Sequence, residues 1–267
     1  MSQLPVIGIS TYSRSEAGEF YLPGAYVDAV QLAGGVPILL PPNQPDPKRI
    51  LDIVDGLIFS GGGDIDPELY GGSHHPTIYL VDAERDSFER ELAEQALIAG
   101  VPTLGICRGM QMLGLVTGAT LVTHVPEVYG ETIAHRLDHP RRPIPHDVQI
   151  KPESCLAQII GETDINVVSW HHQAVKTIPD CWRVAAYAAD GLVEALEHRQ
   201  HPWMIAVQWH PELSPEDPVH QRLFQALVKA ASNTANLTTN ETSEPISSGE
   251  LLSMPVRLSS PSIVPKS

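Results

Sequence analysis

A cysteine, a histidine and a glutamate stand in this sequence where they could build a nucleophilic centre. Cys107 lies in Gly105-Ile106-Cys107-Arg108-Gly109-Met110-Gln111. The apolar run Val101-Pro102-Thr103-Leu104 precedes it, and Met112-Leu113-Gly114-Leu115-Val116 follows with helical spacing. A strand turning sharply into a helix, with glycines two residues to either side, is the thiol counterpart of the nucleophile elbow. The turn lifts the sulfur above the sheet, and the N-terminus of the helix favours thiolate over thiol. A lone cysteine is more often an inert core residue, so its partners decide. His210 and Glu212 close the apolar segment Ala206-Val207-Gln208-Trp209-His210-Pro211-Glu212. Two residues apart on an extended chain, they point the same way, and Pro211 holds that chain extended. A carboxylate on one imidazole nitrogen leaves the other free as a base towards the thiol. An oxyanion site is expected from the N–H groups near Gly62 and of Arg108, because Ser60-Gly61-Gly62-Gly63-Asp64 ends another apolar run without side chains in the way. A phosphate cradle competes for that loop, but no Gly-Lys-Ser/Thr follows it. Serine α/β-hydrolases run nucleophile, acid, histidine; here the acid follows the histidine, which argues against that fold.

These residues need strand ends to hold them, and the chain supplies them. Strands are predicted at Val6–Ser10, Val36–Leu40 and Gly56–Phe59, separated by helices over Gly24–Ala33 and Pro47–Val54. Glu84–Ala99 is the clearest amphipathic helix, with Phe88, Leu92, Ala96 and Ala99 on one face and its charges on the other. Apolar strands alternating with helices imply a three-layer, mostly parallel α/β sheet covered on both faces, with ligands beyond the strand C-termini. The second half changes to short strands at Asp147–Ile150, Ile165–Val168, Trp182–Tyr187, Leu192–Glu197 and Met204–Gln208, which we read as antiparallel additions to the same sheet. A closing helix is expected at Glu216–Ser232. Residues 1–232 then form one domain, and residues 233–267, rich in Ser, Thr, Asn, Pro and Glu, a disordered tail.

The chain has 267 residues, 42% of them hydrophobic, and a formal charge of -15. Without a basic patch it is not expected to bind nucleic acid. No run of eighteen apolar residues and no signal peptide are visible, so a membrane partner is not expected and the location expected is cytoplasmic. Three cysteines without a C-x-x-C pair fit a reducing compartment. Twelve histidines raise the question of a metal. The adjacent pairs His74-His75 and His171-His172 diverge on an extended chain, and no H-x-x-x-H falls on a helix, so neither a metal nor another cofactor is expected. His135, Asp138, His139 and His146 are expected at the surface or the pocket rim.

With these parts assembled, the sequence resembles the class I glutamine amidotransferase-like superfamily, and within it the γ-glutamyl hydrolase and γ-glutamyl-γ-aminobutyrate hydrolase branch. Besides the elbow and the Trp-His-Pro-Glu end, the matching stretches are Tyr26–Val30 with Ala33–Pro37, Ser60–Pro67 with Tyr70-Gly71, Glu84–Glu89, Ser169–Val175, and Asp190-Gly191 with Val193–Ala195. They span about residues 5–230. The resemblance implies a flavodoxin-like fold and a thioester mechanism in which Cys107 attacks a γ-glutamyl amide, His210 moves the proton and Glu212 orients His210. It further implies substrate contacts from Gln111, Ser169, His171 and His172. Thr120-Leu121-Val122-Thr123-His124 departs from the branch, which carries an acidic residue there, so the amine half of the substrate is not assigned. The partner expected is a small γ-glutamyl amide, with a homodimer as the one self-association considered. The alternatives are a glutaminase passing ammonia to a synthase, and a pocket that binds without reacting.

Overall fold

The computed structural model describes residues 4–44, 46–138 and 141–241. The elements follow in the order β1 (Val6–Ser10), α1 (Gly24–Leu32), β2 (Val36–Leu40), α2 (Pro47–Leu51), β3 (Gly56–Phe59), α3 (Ala83–Ala99), β4 (Thr103–Ile106) and α4 (Arg108–Val116). The second half holds β5 (Leu121–Val122), α5 (Val125–Tyr129), β6 (Leu137–Asp138), β7 (Arg141–Arg142), β8 (Ile144–Ile150), α6 (Cys155–Ile160), β9 (Asp164–Ser169) and β10 (Ala174–Val175). It ends with β11 (Trp182–Ala188), β12 (Val193–His198), β13 (Met204–Val207) and α7 (Pro218–Glu241). Nine strands form one sheet in the order β2-β1-β3-β4-β13-β12-β11-β8-β9. The five strands from β2 to β13 are parallel, and the remaining four add antiparallel.

The alternation of side chains along the strands builds two cores. Ile7, Ile9, Ile58, Leu104, Ile106, Ile205 and Val207 face one layer with Val30, Leu156, Leu223, Phe224 and Leu227 of α1, α6 and α7. Leu57, Phe59, Met204 and Ala206 face the other, with Ile50, Phe88, Leu92, Met110 and Leu113 of α2, α3 and α4. Each fully buried aliphatic or Phe side chain contributes about 1.5–3 kcal/mol, so the apolar strands are held by both layers at once.

Three expectations are corrected. Met204–Val207 is not an antiparallel addition: it inserts between β4 and β12, in parallel register with β4. α7 continues to Glu241, past the expected end at 232; the rest of the expected tail, from 242, lies outside the described residues. The charges of α3 do not all face solvent. Arg85 and Asp86 are 2% exposed and Glu89 is fully buried.

Those buried charges form a staple between α3, the glycine loop and the elbow. Arg85 Nε donates to Glu89 Oε1 at 2.8 Å. Arg85 Nη2 donates to the carbonyl and hydroxyl oxygens of Ser60, both at 3.1 Å, and to the Gly61 carbonyl at 2.7 Å. Arg108, next to Cys107, pairs with both Glu89 and Asp86. Two cations and two anions thus balance in the core, where either charge alone would be unsupportable. Glu89→Ala leaves Arg85 and Arg108 each short of a partner. The expected loss is about 3–5 kcal/mol of stability, checked by equilibrium denaturation with circular dichroism.

Candidate active site

The elbow is strained, and the sheet holds it. Cys107 has φ 53° and ψ -105°, a conformation that costs a non-glycine residue about 1–3 kcal/mol. Its N–H is fixed by donation to the Val207 carbonyl at 2.8 Å, one residue beyond the β4–β13 ladder. The turn leaves no room beside it: a Cβ on Gly109 would run into the carbonyl of Phe59 at the end of β3. Arg108 is the first residue of α4, so its N–H has no partner within the helix.

β13 delivers the histidine. Three residues past Val207, His210 donates its backbone N–H to Val168 at 2.8 Å. Its Nδ1 meets Glu212 Oε1 at 2.6 Å, and Cys107 lies near enough to the ring to act on its charge. All three side chains are buried. The expected extended geometry at 210–212 is replaced by a 3-10 turn, Pro211–Leu213. Pro211 supplies the fixed φ that starts such a turn, and the turn swings Glu212 back onto the imidazole. Burial opposes a charge on His210, but the Glu212 carboxylate and the nearby Cys107 outweigh it and hold His210 well above the ordinary histidine range. The glycine loop passes against this ring. A Cβ on Gly61 would stand 2.7 Å from His210 Cε1, and the Gly61 N–H is anchored on the Tyr26 hydroxyl at 2.9 Å.

Cys107 lines a narrow cleft shared with Gly62, Asp64, Tyr79, Arg108, Gln111, Trp170, His171, His172 and Gln173. Gly62, Tyr79 and Trp170 also line a larger cavity of about 610 Å³, together with His210, Arg14, Arg141 and Leu80. Of the residues predicted from sequence, Cys107, Gly62, Arg108, Gln111, His171 and His172 share the cleft, and His210 with Glu212 stands beside it. Gln111 Nε2 donates to the Gln173 carbonyl at 3.0 Å. His172 Nε2 bonds Asp64 at 2.8 Å, and that carboxylate also takes the Tyr79 N–H at 3.0 Å. Ser169 is not brought to the cleft: it is fully buried and spends its hydroxyl on the His135 carbonyl at 2.8 Å. His171 borders the cleft, but its ring nitrogens face the Gln173 carbonyl at 3.0 Å and Glu194 at 3.7 Å.

Sequence reasoning missed Asp64, Tyr79 and Gln173 as site residues, and it misplaced two histidines. His135 and His146 were expected at the surface or rim and are instead buried, because both turn inward towards Glu194 of β12. His139 lies outside the described residues, as does the side chain of Asp138. Burial, with help from Asp64, pushes Tyr79 up to about 12, so it presents a neutral hydroxyl to the cleft. The available signal was the stretch Asp64–Pro67, singled out as a match but given no role.

Comparison with known proteins gives a family and a fold. The model of the family described as Peptidase C26 matches residues 5–212. The chain is 39% identical over 243 residues to Rv2859c of Mycobacterium tuberculosis, provisionally named a glutamine amidotransferase, covering 86% of this chain and 76% of that one. It is 32% identical over 244 residues to the γ-glutamyl-γ-aminobutyrate hydrolase PuuD of Escherichia coli K12, covering 86% and 94%. Among solved structures, a Thermoplasma acidophilum protein provisionally named as part of a GMP synthase shares the fold with a TM-score of 0.63 at 19% identity, over 89% of this chain and 98% of that one. With a cysteine on a strained strand–helix turn, a sheet of this order and a family match over most of its length, the chain belongs to the Peptidase C26 family and has the class I glutamine amidotransferase-like fold.

Proposed function

We propose that this protein is a cysteine-dependent hydrolase of small γ-glutamyl amides, of which γ-glutamyl-γ-aminobutyrate is the representative substrate. The observation that carries the reading is that the His210 ring, paired with Glu212, stands near Cys107 beside a side-chain-free loop. The Cys107 thiolate attacks the γ-carbonyl, and the oxyanion is taken by the N–H groups of Gly62 and Arg108. His210, with Nδ1 held by Glu212, gives its other ring proton to the departing amine as the C–N bond breaks. It then takes a proton from water, which attacks the thioester and releases glutamate and free thiolate. Gln111 and His172 border the space for the glutamyl half. The larger cavity receives the amine half, where Arg141 stacks at 4.2 Å on Tyr79 and suits an amine that carries a carboxylate.

The decisive test is glutamate release from γ-glutamyl-γ-aminobutyrate, γ-glutamyl polyamines, folyl-γ-glutamates and glutamine. Wild type is expected to cleave the first, and Cys107→Ala to fold normally and release none. A Cys107→Ala enzyme with undiminished turnover, or glutamine hydrolysis that requires a second protein, would overturn the proposal. For Arg141→Ala, KM for γ-glutamyl-γ-aminobutyrate should rise about 10-fold at nearly constant kcat, with no rise for a polyamine amide.

The raised His210 sets the pH dependence. The imidazolium is the productive partner of the thiolate, so activity should fall on the alkaline side as pH climbs through the folded value of His210. Glu212→Gln removes the carboxylate that holds this value up. Its alkaline limb should therefore move to lower pH, with kcat reduced about 10²–10⁴-fold. The same linkage governs stability. The contribution of the His210 pairing is complete below the unfolded histidine value of about 6.5 and is lost as pH rises through the folded one. A kcat/KM profile and a set of melting curves measured across pH check both signs.

A further inference from the structure

Behind the cleft, four buried groups from separate segments converge on one point. His135 comes from the loop between α5 and β6, His146 from β8, His171 from the turn after β9, and Glu194 from β12. β11 ends its pairing with β8 at Ala188–Val148, so His146, two residues further along β8, passes the end of β11 and can reach towards β12. One ligand atom from each of the four lies within 4.8 Å of all the others. His135 Nδ1, His146 Nε2 and His171 Nε2 stand 3.3, 3.4 and 3.7 Å from Glu194 Oε1. None of these nitrogens, and neither Glu194 oxygen, makes an aligned hydrogen bond among the described residues. All four residues are at least nine-tenths buried.

We propose that His135, His146, His171 and Glu194 bind a divalent transition-metal ion, with Zn²⁺ the best match to the donor set. Metal–ligand bonds of about 2.0–2.1 Å at tetrahedral angles put ligand atoms about 3.3–3.4 Å apart, close to the three separations from Glu194 Oε1. The outer nitrogen of every histidine is already engaged as metal ligation requires. His135 Nε2 bonds Asp190 at 2.9 Å, His146 Nδ1 the Asp147 carbonyl at 3.1 Å, and His171 Nδ1 the Gln173 carbonyl at 3.0 Å. An acceptor on the outer nitrogen places the proton there and turns the inner lone pair towards the centre. Three lone pairs and a carboxylate facing one another in the core repel unless a metal cation or a shared proton sits between them. Three imidazoles and one carboxylate suit Zn²⁺, whereas an all-oxygen set would suit Ca²⁺ or Mg²⁺.

The site bears on the cleft without depending on the reaction there. The His171 N–H and the Ser169 hydroxyl both donate to the His135 carbonyl, at 3.1 and 2.8 Å. Trp170, His172 and Gln173, the neighbours of His171, line the cleft around Cys107. An ion held by His135 and His171 therefore fixes the segment from which one wall of the cleft is made.

Metal analysis of the purified full chain should find about one Zn²⁺ per molecule. Chelator-stripped protein should bind Co²⁺ with the visible d–d spectrum of a tetrahedral site, and Zn²⁺ should displace it and raise Tm. Glu194→Gln and His146→Asn should abolish both signals. Asp190→Asn, which acts only on the outer nitrogen of His135, should weaken Zn²⁺ binding about 10–100-fold. Cys107→Ala should bind as wild type does, and loss of the metal in that variant would assign it to the thiolate instead. The inference is overturned if stripped wild type takes up no Co²⁺ and shows no Zn²⁺-dependent Tm shift; the cluster is then a network sharing a proton between His135 and Glu194.

Discussion

The hydrogen bond from the Cys107 N–H to the Val207 carbonyl joins the two strands on which the candidate chemistry depends. It extends the parallel β4–β13 ladder by one rung, and that rung falls on the residue with the strained backbone. A peptide hydrogen bond contributes only about 0.5–1.5 kcal/mol net, so it does not offset the strain of the elbow alone. The rest comes from what surrounds it: Phe59 against Gly109, the apolar faces of α3 and α4, and the pairing of Arg108 with two carboxylates. The same register that supports the nucleophile sets the distance to His210, three residues along the neighbouring strand.

Charge is the second constraint. In a chain with a formal charge of -15, two of its arginines lie buried beside the elbow, where they tie the glycine loop to α3 and α4. Their side chains bind structure rather than solvent. A buried ion pair is a weak source of stability compared with apolar packing, but removing one member is costly. Such a staple therefore holds one arrangement of the loop against alternatives, which suits a site whose donors must be in place before charge develops.

How much of this was legible depends on how local each signal is. The strand–elbow–helix around Cys107 could be read because the glycines that permit the turn are its sequence neighbours. The same holds for the glycine loop, the five parallel strands apart from β13, and the His-Pro-Glu end, since each rests on residues within a few positions of one another. Ser169 and His171 were singled out from the right segment; the Ser169 hydroxyl is spent on the His135 carbonyl, while His171 lines the cleft. The charges of α3 were assigned to solvent because periodicity marks which positions share a face, and not what that face meets. Arg85 and Glu89, one helical turn apart, carried a hint of pairing, but their third partner, Arg108, is remote in sequence.

The sequence by itself determined the kind of chemistry on offer, a cysteine on an elbow with a histidine and a glutamate spaced to serve it, and the alternating α/β plan that holds them. Only the tertiary structure decided that β13 lies beside β4, which brings His210 to Cys107. It also decided that Pro211 opens a turn and that His135, His146, His171 and Glu194 meet behind the cleft. The physical reason is the same in each case. Strand order and the convergence of distant side chains are set by which apolar faces pack together across the sheet, a property of the whole core that no short window of residues contains.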